Sequence, residues 1–417
     1  MTVFISLVII VSGYVVANSL VQLANINPLH ASEICSAFRV AVVSMGIIVT
    51  AYSLNSINAG LLAAKATGII HSLSTILSII AVVVLLYGGY GVLALALSQL
   101  LMAVVMLTGN AVYLLWRFKR ERFVFRLSLK GIPKISKLIT YTSIPRALVV
   151  FASNMDLILV SRYLGPSMVP ILHLTRRAPE FSRRFVERPS VAFMPAFSHL
   201  VGESNWEKAR VVFLRLLTLI IWAAVFMSGG FLLLNHSFVV LWVGKSFYAG
   251  SVVNVLVVFG FFASVLASTL GNFNFALGDI RGNSIISFFQ AVVSILLIVF
   301  AARFWGISGV VAAGFVSIAL TTGWYFPWAL IRQLKVSVWD LRSLGREFAL
   351  ILLASVVPVV LLSVVAPSDW AGFAGLSVVY SLFVFTLLYL FSVKMRNEIS
   401  ALNQELSNSL KSFCKVV

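Results

Sequence analysis

The sequence predicts an all-α membrane protein with about twelve spanning helices, and three observations carry that prediction. Hydrophobic residues make up 60% of the 417 and charged residues 11%, with a mean hydropathy of +1.03, well beyond the range of soluble domains. Apolar runs of about 20 residues, the length that crosses a hydrocarbon layer, recur along the chain. Basic residues fall mostly in the short connections between those runs, where they orient membrane helices. The net charge of +18 therefore reads as membrane topology, and no nucleic-acid partner is expected.

The spans read in order as 2–23, 36–57, 66–88, 91–116, 138–161, 211–234, 250–273, 284–303, 308–331, 347–366 and 371–393. A twelfth candidate, 166–200, is long enough to cross but carries Arg176, Arg177, Glu180, Arg183, Arg184, Glu187 and Arg188. At roughly 2.5–3.5 kcal/mol per charge carried to mid-bilayer, seven such groups facing lipid would cost on the order of 20 kcal/mol. The stretch must face water, a partner or a substrate.

Loop charge decides whether it crosses. The connection 117–137 holds Arg117, Lys119, Arg120, Arg122, Arg126, Lys130, Lys134 and Lys137 against Glu121, which marks it as cytoplasmic. If 166–200 crosses, Lys208, Arg210, Arg281, Arg332, Lys335, Arg342, Arg346, Lys394 and Arg396 all fall on that same side. If it does not, the bias is lost beyond residue 200. Twelve crossings with both termini cytoplasmic is the consistent topology. It sets Cys35 and Cys414, the two cysteines, on opposite sides, too few and too far apart for a disulfide framework. No Lys or Arg precedes Arg39, so the first helix lacks the charged start of a secretory signal.

A weak internal repeat relates Tyr87-Gly-Gly-Tyr-Gly-Val-Leu-Ala94 to Trp305-Gly-Ile-Ser-Gly-Val-Val-Ala312, each followed by a helix. Gly91 pairs with Gly309, Val92 with Val310, Ala94 with Ala312 and Arg117 with Lys335 at one constant spacing. Repeats of this kind are common in transporters, with the site at their interface. The second unit is the longer, so about two helices are expected to be missing from the front of the first, and the chain reads as shortened at its N-terminus.

Four passages resemble the polysaccharide-export flippases of the multidrug/oligosaccharidyl-lipid/polysaccharide exporter superfamily, the Wzx-like O-antigen and capsule transporters. Asn154-Met-Asp156-Leu-Ile-Leu-Val-Ser-Arg-Tyr-Leu-Gly165 resembles the helix that opens the family's second lobe. Phe193-Met-Pro195-Ala-Phe-Ser198 resembles its Pro-Ala-Phe-Ser segment, Leu241-Trp-Val-Gly244 its Leu-Trp-Leu-Gly loop, and Ala276-Leu-Gly278-Asp-Ile-Arg281 its Ala-x-Gly-x-x-Arg turn. The likeness covers about 35–393. It implies two bundled lobes and two extra helices: 1–117 as a first lobe of four helices, 118–137 as a basic cytoplasmic linker, 138–335 as a second lobe of six, 336–393 as the additional pair and 394–417 as a cytoplasmic tail. It also implies an inner-membrane flippase for a polyprenyl diphosphate-linked oligosaccharide in surface polysaccharide (lipopolysaccharide O-antigen) synthesis, with membrane lipid and polysaccharide polymerase machinery as partners. The missing front and the arginine content of 173–188 depart from the family pattern.

Candidate site residues follow from charge in apolar surroundings. As a helix, Arg176, Glu180, Arg183 and Glu187 share one face at i, i+4, i+7 and i+11, and Arg177, Arg184 and Arg188 take the adjoining stripe. Glu180 can pair with Arg176 or Arg184, and Glu187 with Arg183 or Arg184. Five arginines less two glutamates leave an excess that can bind phosphate bidentately on a cavity wall; a solvated interfacial helix is the competing reading. Asp156, with Asn154 beside it and Arg146 about three turns earlier, is an intramembrane carboxylate for ion or proton coupling or an internal ion-pair partner. Pro179 interrupts the charged helix, which is expected to kink there and expose a carbonyl toward the cavity. Arg39 and Gln99 are weaker candidates in the first lobe. The histidines show no metal spacing, and no cofactor is expected.

No phosphate-binding Gly-x-x-x-x-Gly-Lys loop, nucleophile elbow or His-Glu-x-x-His sequence is present, so an enzyme is not expected. Two alternatives remain beside the flippase: a drug or cation antiporter of the same fold, which calls for an acidic cavity, and a membrane glycan polymerase or ligase, which calls for a large outer loop.

Overall fold

A computed structural model describes residues 2–23, 28–61, 63–121 and 154–401. The described residues are helical apart from short turns and contain no strand. In chain order they form α1 (Thr2–Leu23), α2 (Pro28–Gly60), α3 (Ala64–Tyr87), α4 (Leu93–Glu121), α5 (154–164), α6 (Met168–Gly202), α7 (Trp206–Val243), α8 (Ser251–Ala276), α9 (Ile280–Leu320), α10 (Thr322–Leu334), α11 (Val338–Leu362), α12 (Trp370–Phe391) and α13 (393–401). Eight described stretches are long and apolar enough to cross a membrane, and α1 adds a shorter apolar helix. The expected all-α membrane fold is the observed one. Arg146, the first half of the span 138–161, most of the basic linker and Cys414 lie outside the described residues.

The chain divides into two compact units, Met1–Gly131 and Ile132–Val417. In the first, α2 and α4 pack together and α1 and α3 flank them. Two fully buried asparagines join the central pair: Asn58 Nδ2 donates to the Asn110 carbonyl at 3.1 Å and to its Oδ1 at 3.2 Å. Amides of this kind hold apolar helices in register where hydrophobicity gives no direction. The Glu33 carboxylate accepts from the Val92 amide at 3.0 Å, satisfying a donor at the start of α4. Arg117 in turn donates to the Leu61 carbonyl beyond the end of α2.

In the second unit α8 is central, packed against α6, α7, α9 and α10, while α11 and α12 cover α7. One core cluster is built on Phe273, whose ring meets Phe197 and Phe213 edge-on at 5.0 and 5.2 Å. A second gathers Val160, Leu172, Val257, Ile298 and Val310 from α5, α6, α8 and α9. On α12, Tyr380 donates to the Phe226 carbonyl of α7 at 2.7 Å, and its hydroxyl occupies the space a side chain at Gly229 would need. The C-terminal α13 is held by a two-bond pair between Arg215 and Glu398 at 2.6 and 2.7 Å, and by Ser392 donating to the fully buried Glu347 at 2.7 Å.

The spans expected over 284–303 and 308–331 meet differently from a loop-joined pair. Their junction shrinks to Gly306, whose φ of 57° and ψ of −141° suit glycine because no Cβ is present to clash. The chain breaks again at Thr321, inside the second expected span, and α10 begins there. In the first unit the corresponding connection is a five-residue turn, 88–92, followed by an unbroken α4. The two copies of the repeat thus differ in local backbone.

Candidate functional site

The charged segment is helical throughout: α6 runs unbroken from Met168 to Gly202 despite Pro179, Pro189 and Pro195. Its two ends are pinned to the two ends of α8. Near one end, the Ala249 amide just before α8 donates to Thr175 Oγ1 at 3.0 Å. Near the other, Ser198 Oγ donates to the carbonyl of Ala276, the last residue of α8, at 3.2 Å. The helix therefore runs beside the whole length of α8, and any layer that α8 crosses α6 crosses with it. The arginines lie between these pins, at the level of the bundle interior.

Proline explains part of this register. Pro179 has no N–H to give the carbonyl four residues earlier, that of Thr175. Asn235 Nδ2 of α7 takes this acceptor at 2.9 Å and also donates to Asn254 Oδ1 of α8 at 2.7 Å. Thr175, Asn235 and Asn254 are all buried. The carbonyl freed by Pro179 is thus used to bind α7 to α6 and is not offered to the cavity, contrary to the expectation from the sequence.

A cavity of about 1020 Å³ opens among α5, α6, α8, α9 and α10. Arg176, Glu180, Arg183 and Glu187, the stripe at i, i+4, i+7 and i+11, all line it, with Arg184, His173, Asn154 and Asp156. Arg177 and Arg188 do not; they are exposed on the neighbouring face, beside Phe181 and Phe185, whose rings meet at 5.0 Å and are 60% and 63% exposed. Arg176 forms its ion pair with Asp156 of α5 rather than with Glu180. Both side chains are mostly buried, at 16% and 11% exposure, and Asp156 Oδ1 also accepts from the Leu157 amide at 2.8 Å. Arg183 pairs with Glu187 at 3.5 Å. Arg177, Arg184 and Arg188 have no carboxylate within ion-pair distance among the described residues.

The cavity has a second, uncharged wall, which charge alone does not reveal in the sequence. Asn283, Ser287, Gln290 and Ser294 line it from α9, and Ser264, Ser268 and Asn272 from α8. Their spacing, i, i+4, i+7, i+11 and i, i+4, i+8, is a helical stripe inside apolar spans, and that signal was present in the sequence. Inside the cavity Arg176, Arg183 and Arg184 face Asp156, Glu180 and Glu187 in equal number.

The family-like passages have structural roles. Leu-Gly165 ends α5, and Phe197 and Ser198 seat α6 on the end of α8. Gly278, at φ 92°, turns the chain out of α8, and Asp279 then caps α9 by accepting from Gly282 N at 2.9 Å. Tyr325 and Asn274 donate to the same carboxylate at 2.8 and 3.0 Å. In the first unit Arg39 lies over the Tyr14 ring at 5.6 Å and Gln99 is half-buried on α4. Among the described residues no group of His, Cys, Asp and Glu could hold a metal ion.

Comparison with solved structures sets this geometry in a known architecture. The lipid II flippase MurJ, in an inward closed conformation, superposes with a TM-score of 0.72 at 15% identity over 95% of this chain and 82% of its own. The chain has the fold of the MOP-superfamily transporters. A MOP-superfamily transporter from Pyrococcus furiosus matches with a TM-score of 0.61 at 16% identity, covering 81% of this chain and 78% of its own. An inward-facing multidrug resistance MATE transporter matches at 0.63 and 17%, covering 80% and 79%. No family model matches the sequence, and no curated protein matches it. At these identities the likeness establishes the fold alone.

Proposed function

We propose that this chain is a flippase that moves a lipid-linked, anionic oligosaccharide across the inner membrane for surface polysaccharide synthesis, by rocking its helix bundles. The observation that carries this reading is the stripe of Arg177, Arg184 and Arg188, three guanidinium groups with no carboxylate partner among the described residues, Arg184 lining the cavity and Arg177 and Arg188 exposed beside it, on a helix running the length of the bundle. Uncancelled arginine in such a place is costly unless it meets an anion, and a diphosphate offers the bidentate acceptors that guanidinium groups fit. The MOP fold, shared with a lipid II flippase, supports a lipid-linked substrate. The Wzx-like motifs and the basic cytoplasmic linker support the polysaccharide branch and the membrane orientation.

A drug or cation antiporter is the second reading, since multidrug MATE transporters share the fold. It is weakened by the cavity's carboxylates, because Asp156 and Glu187 are already matched to Arg176 and Arg183. Arg177→Gln, Arg184→Gln and Arg188→Gln, made singly in cells whose surface polysaccharide depends on this chain, test the proposal. Each is expected to lower export several-fold at normal protein level, with the corresponding Lys variants intermediate. Full export by all three removes the stripe from the mechanism. Saturable uptake of an organic cation by vesicles holding the purified protein would favour the antiporter.

A further inference from the structure

The uncharged wall requires its own explanation. Polar side chains inside membrane spans are unfavourable unless they meet water, one another or a ligand. Here they face a cavity large enough for a ligand of several rings. Two of the amides, Asn272 and Gln290, are each fixed by one protein hydrogen bond that leaves the other half of the amide unused. Asn272 Nδ2 donates to Ser190 Oγ at 3.0 Å, which leaves Oδ1 as an acceptor. Gln290 Oε1 accepts from Thr322 at 3.1 Å, which leaves Nε2 as a donor. Asn283 uses both halves, donating to the Gly271 carbonyl at 2.8 Å and accepting from the Ser287 hydroxyl at 3.5 Å. Phe275 and Phe315 add apolar faces to the same lining.

From this arrangement we propose that the α8/α9 wall is a carbohydrate subsite, holding a neutral glycan between Asn272 and Gln290 while the phosphates of the same ligand remain at Arg184. The proposal rests on the flippase reading and names the part of the ligand that the arginines leave unrecognised. Sugar hydroxyls both donate and accept, and pre-fixed amides offer both roles at little entropic cost. The cavity's charges sum to balance, three arginines against three carboxylates, and of those arginines only Arg184 has no ion-pair partner among the described residues, so the phosphates fall to Arg184 and the rest of the lining suits a neutral group. The apolar face of a sugar ring packs on Phe275 or Phe315.

The test uses full-length protein in detergent with two probes. Saturation-transfer NMR reads binding of the neutral disaccharides lactose, maltose and N,N′-diacetylchitobiose, and phosphorus NMR reads inorganic pyrophosphate. At least one disaccharide is expected to bind. Gln290→Glu, which keeps the acceptor for Thr322 and removes the donor, is expected to weaken it about tenfold, the equivalent of one hydrogen bond. Ser287→Val, which fills the wall with methyl groups, is expected to do the same without stranding Thr322. Arg184→Gln should weaken pyrophosphate and leave the disaccharide unchanged. A protein that binds pyrophosphate but no disaccharide overturns the subsite, as do Gln290→Glu and Ser287→Val proteins that bind sugar normally. Disaccharide binding without pyrophosphate binding sustains the subsite and overturns the arginine reading instead.

Discussion

Two long helices of the second unit, α6 and α9, each line the cavity with polar residues at i, i+4, i+7 and i+11, and both pack on α8. On α6 the stripe is Arg176, Glu180, Arg183 and Glu187; on α9 it is Asn283, Ser287, Gln290 and Ser294. The charged wall is held together by ion pairs, one of which reaches to α5, and leaves arginine over at its rim. In the neutral lining Asn272 and Gln290 are each held by a single hydrogen bond that leaves an acceptor or a donor over inside. The two walls teach that periodicity places a residue on a face, while chemistry sets what that face can still bind. The helices also differ in how they are interrupted: Pro179 removes one backbone bond from α6, and Gly306 turns α9 through a conformation few other residues adopt.

The largest effect is expected where the charged wall depends on one partner. Asp156→Asn leaves Arg176 mostly buried without its carboxylate and should destabilise the protein by about 3 kcal/mol, read as thermal unfolding in detergent. The double variant Asp156→Leu with Arg176→Leu should recover most of that loss, since neither charge is then stranded. If the single variant melts normally, the pair is solvated and the two walls differ less than their chemistry suggests.

A smaller loss is expected on the other helix. Gly306→Ala places a Cβ at φ 57° and should destabilise by about 2 kcal/mol, shifting Val310 and Val311 relative to the amide stripe. Thermal unfolding again measures it, and an unchanged melting temperature would show that the kink is not required.

Next comes the tie between α6 and α7. Asn235→Leu removes the donor to the Thr175 carbonyl and should cost about 1.5 kcal/mol, whereas the same change in a Pro179→Ala background should cost less, because the helix then supplies its own donor. A double-mutant cycle gives the coupling, and zero coupling would separate the proline from the asparagine.

The smallest effect is expected from Glu187→Gln. Arg183 is 45% exposed and the pair sits at i, i+4, so water and side-chain freedom reduce its contribution to less than about 0.5 kcal/mol. A loss above 1 kcal/mol would mean that the charged wall is sealed from water.

Much of this organisation was legible in the residues themselves. Spans of about 20 apolar residues marked the helices, and the glycines at 165, 244 and 278 marked where three of them end. The α6 stripe was legible because charge in an apolar chain is conspicuous. Serine and asparagine at the same spacing on α9 are inconspicuous in the sequence, because such residues usually bond within or between helices and leave no charge anomaly. The sequence leaves the partner of Arg176 open among several and does not separate Arg177 and Arg188 from Arg184, since helical spacing gives angles between side chains and not the rotation of the helix in its bundle.

Hydropathy, helix period and loop charge act over a few residues or one span, so the sequence alone determined the all-α membrane class, the positions of most helices and the two faces of α6. Only tertiary structure decided that Asp156 meets Arg176, 20 residues away, and that Asn235 meets Thr175, 60 residues away. It also decided which arginines enter the cavity. Those outcomes depend on how helices rotate and slide against α8, which packing settles through contacts distant in the chain.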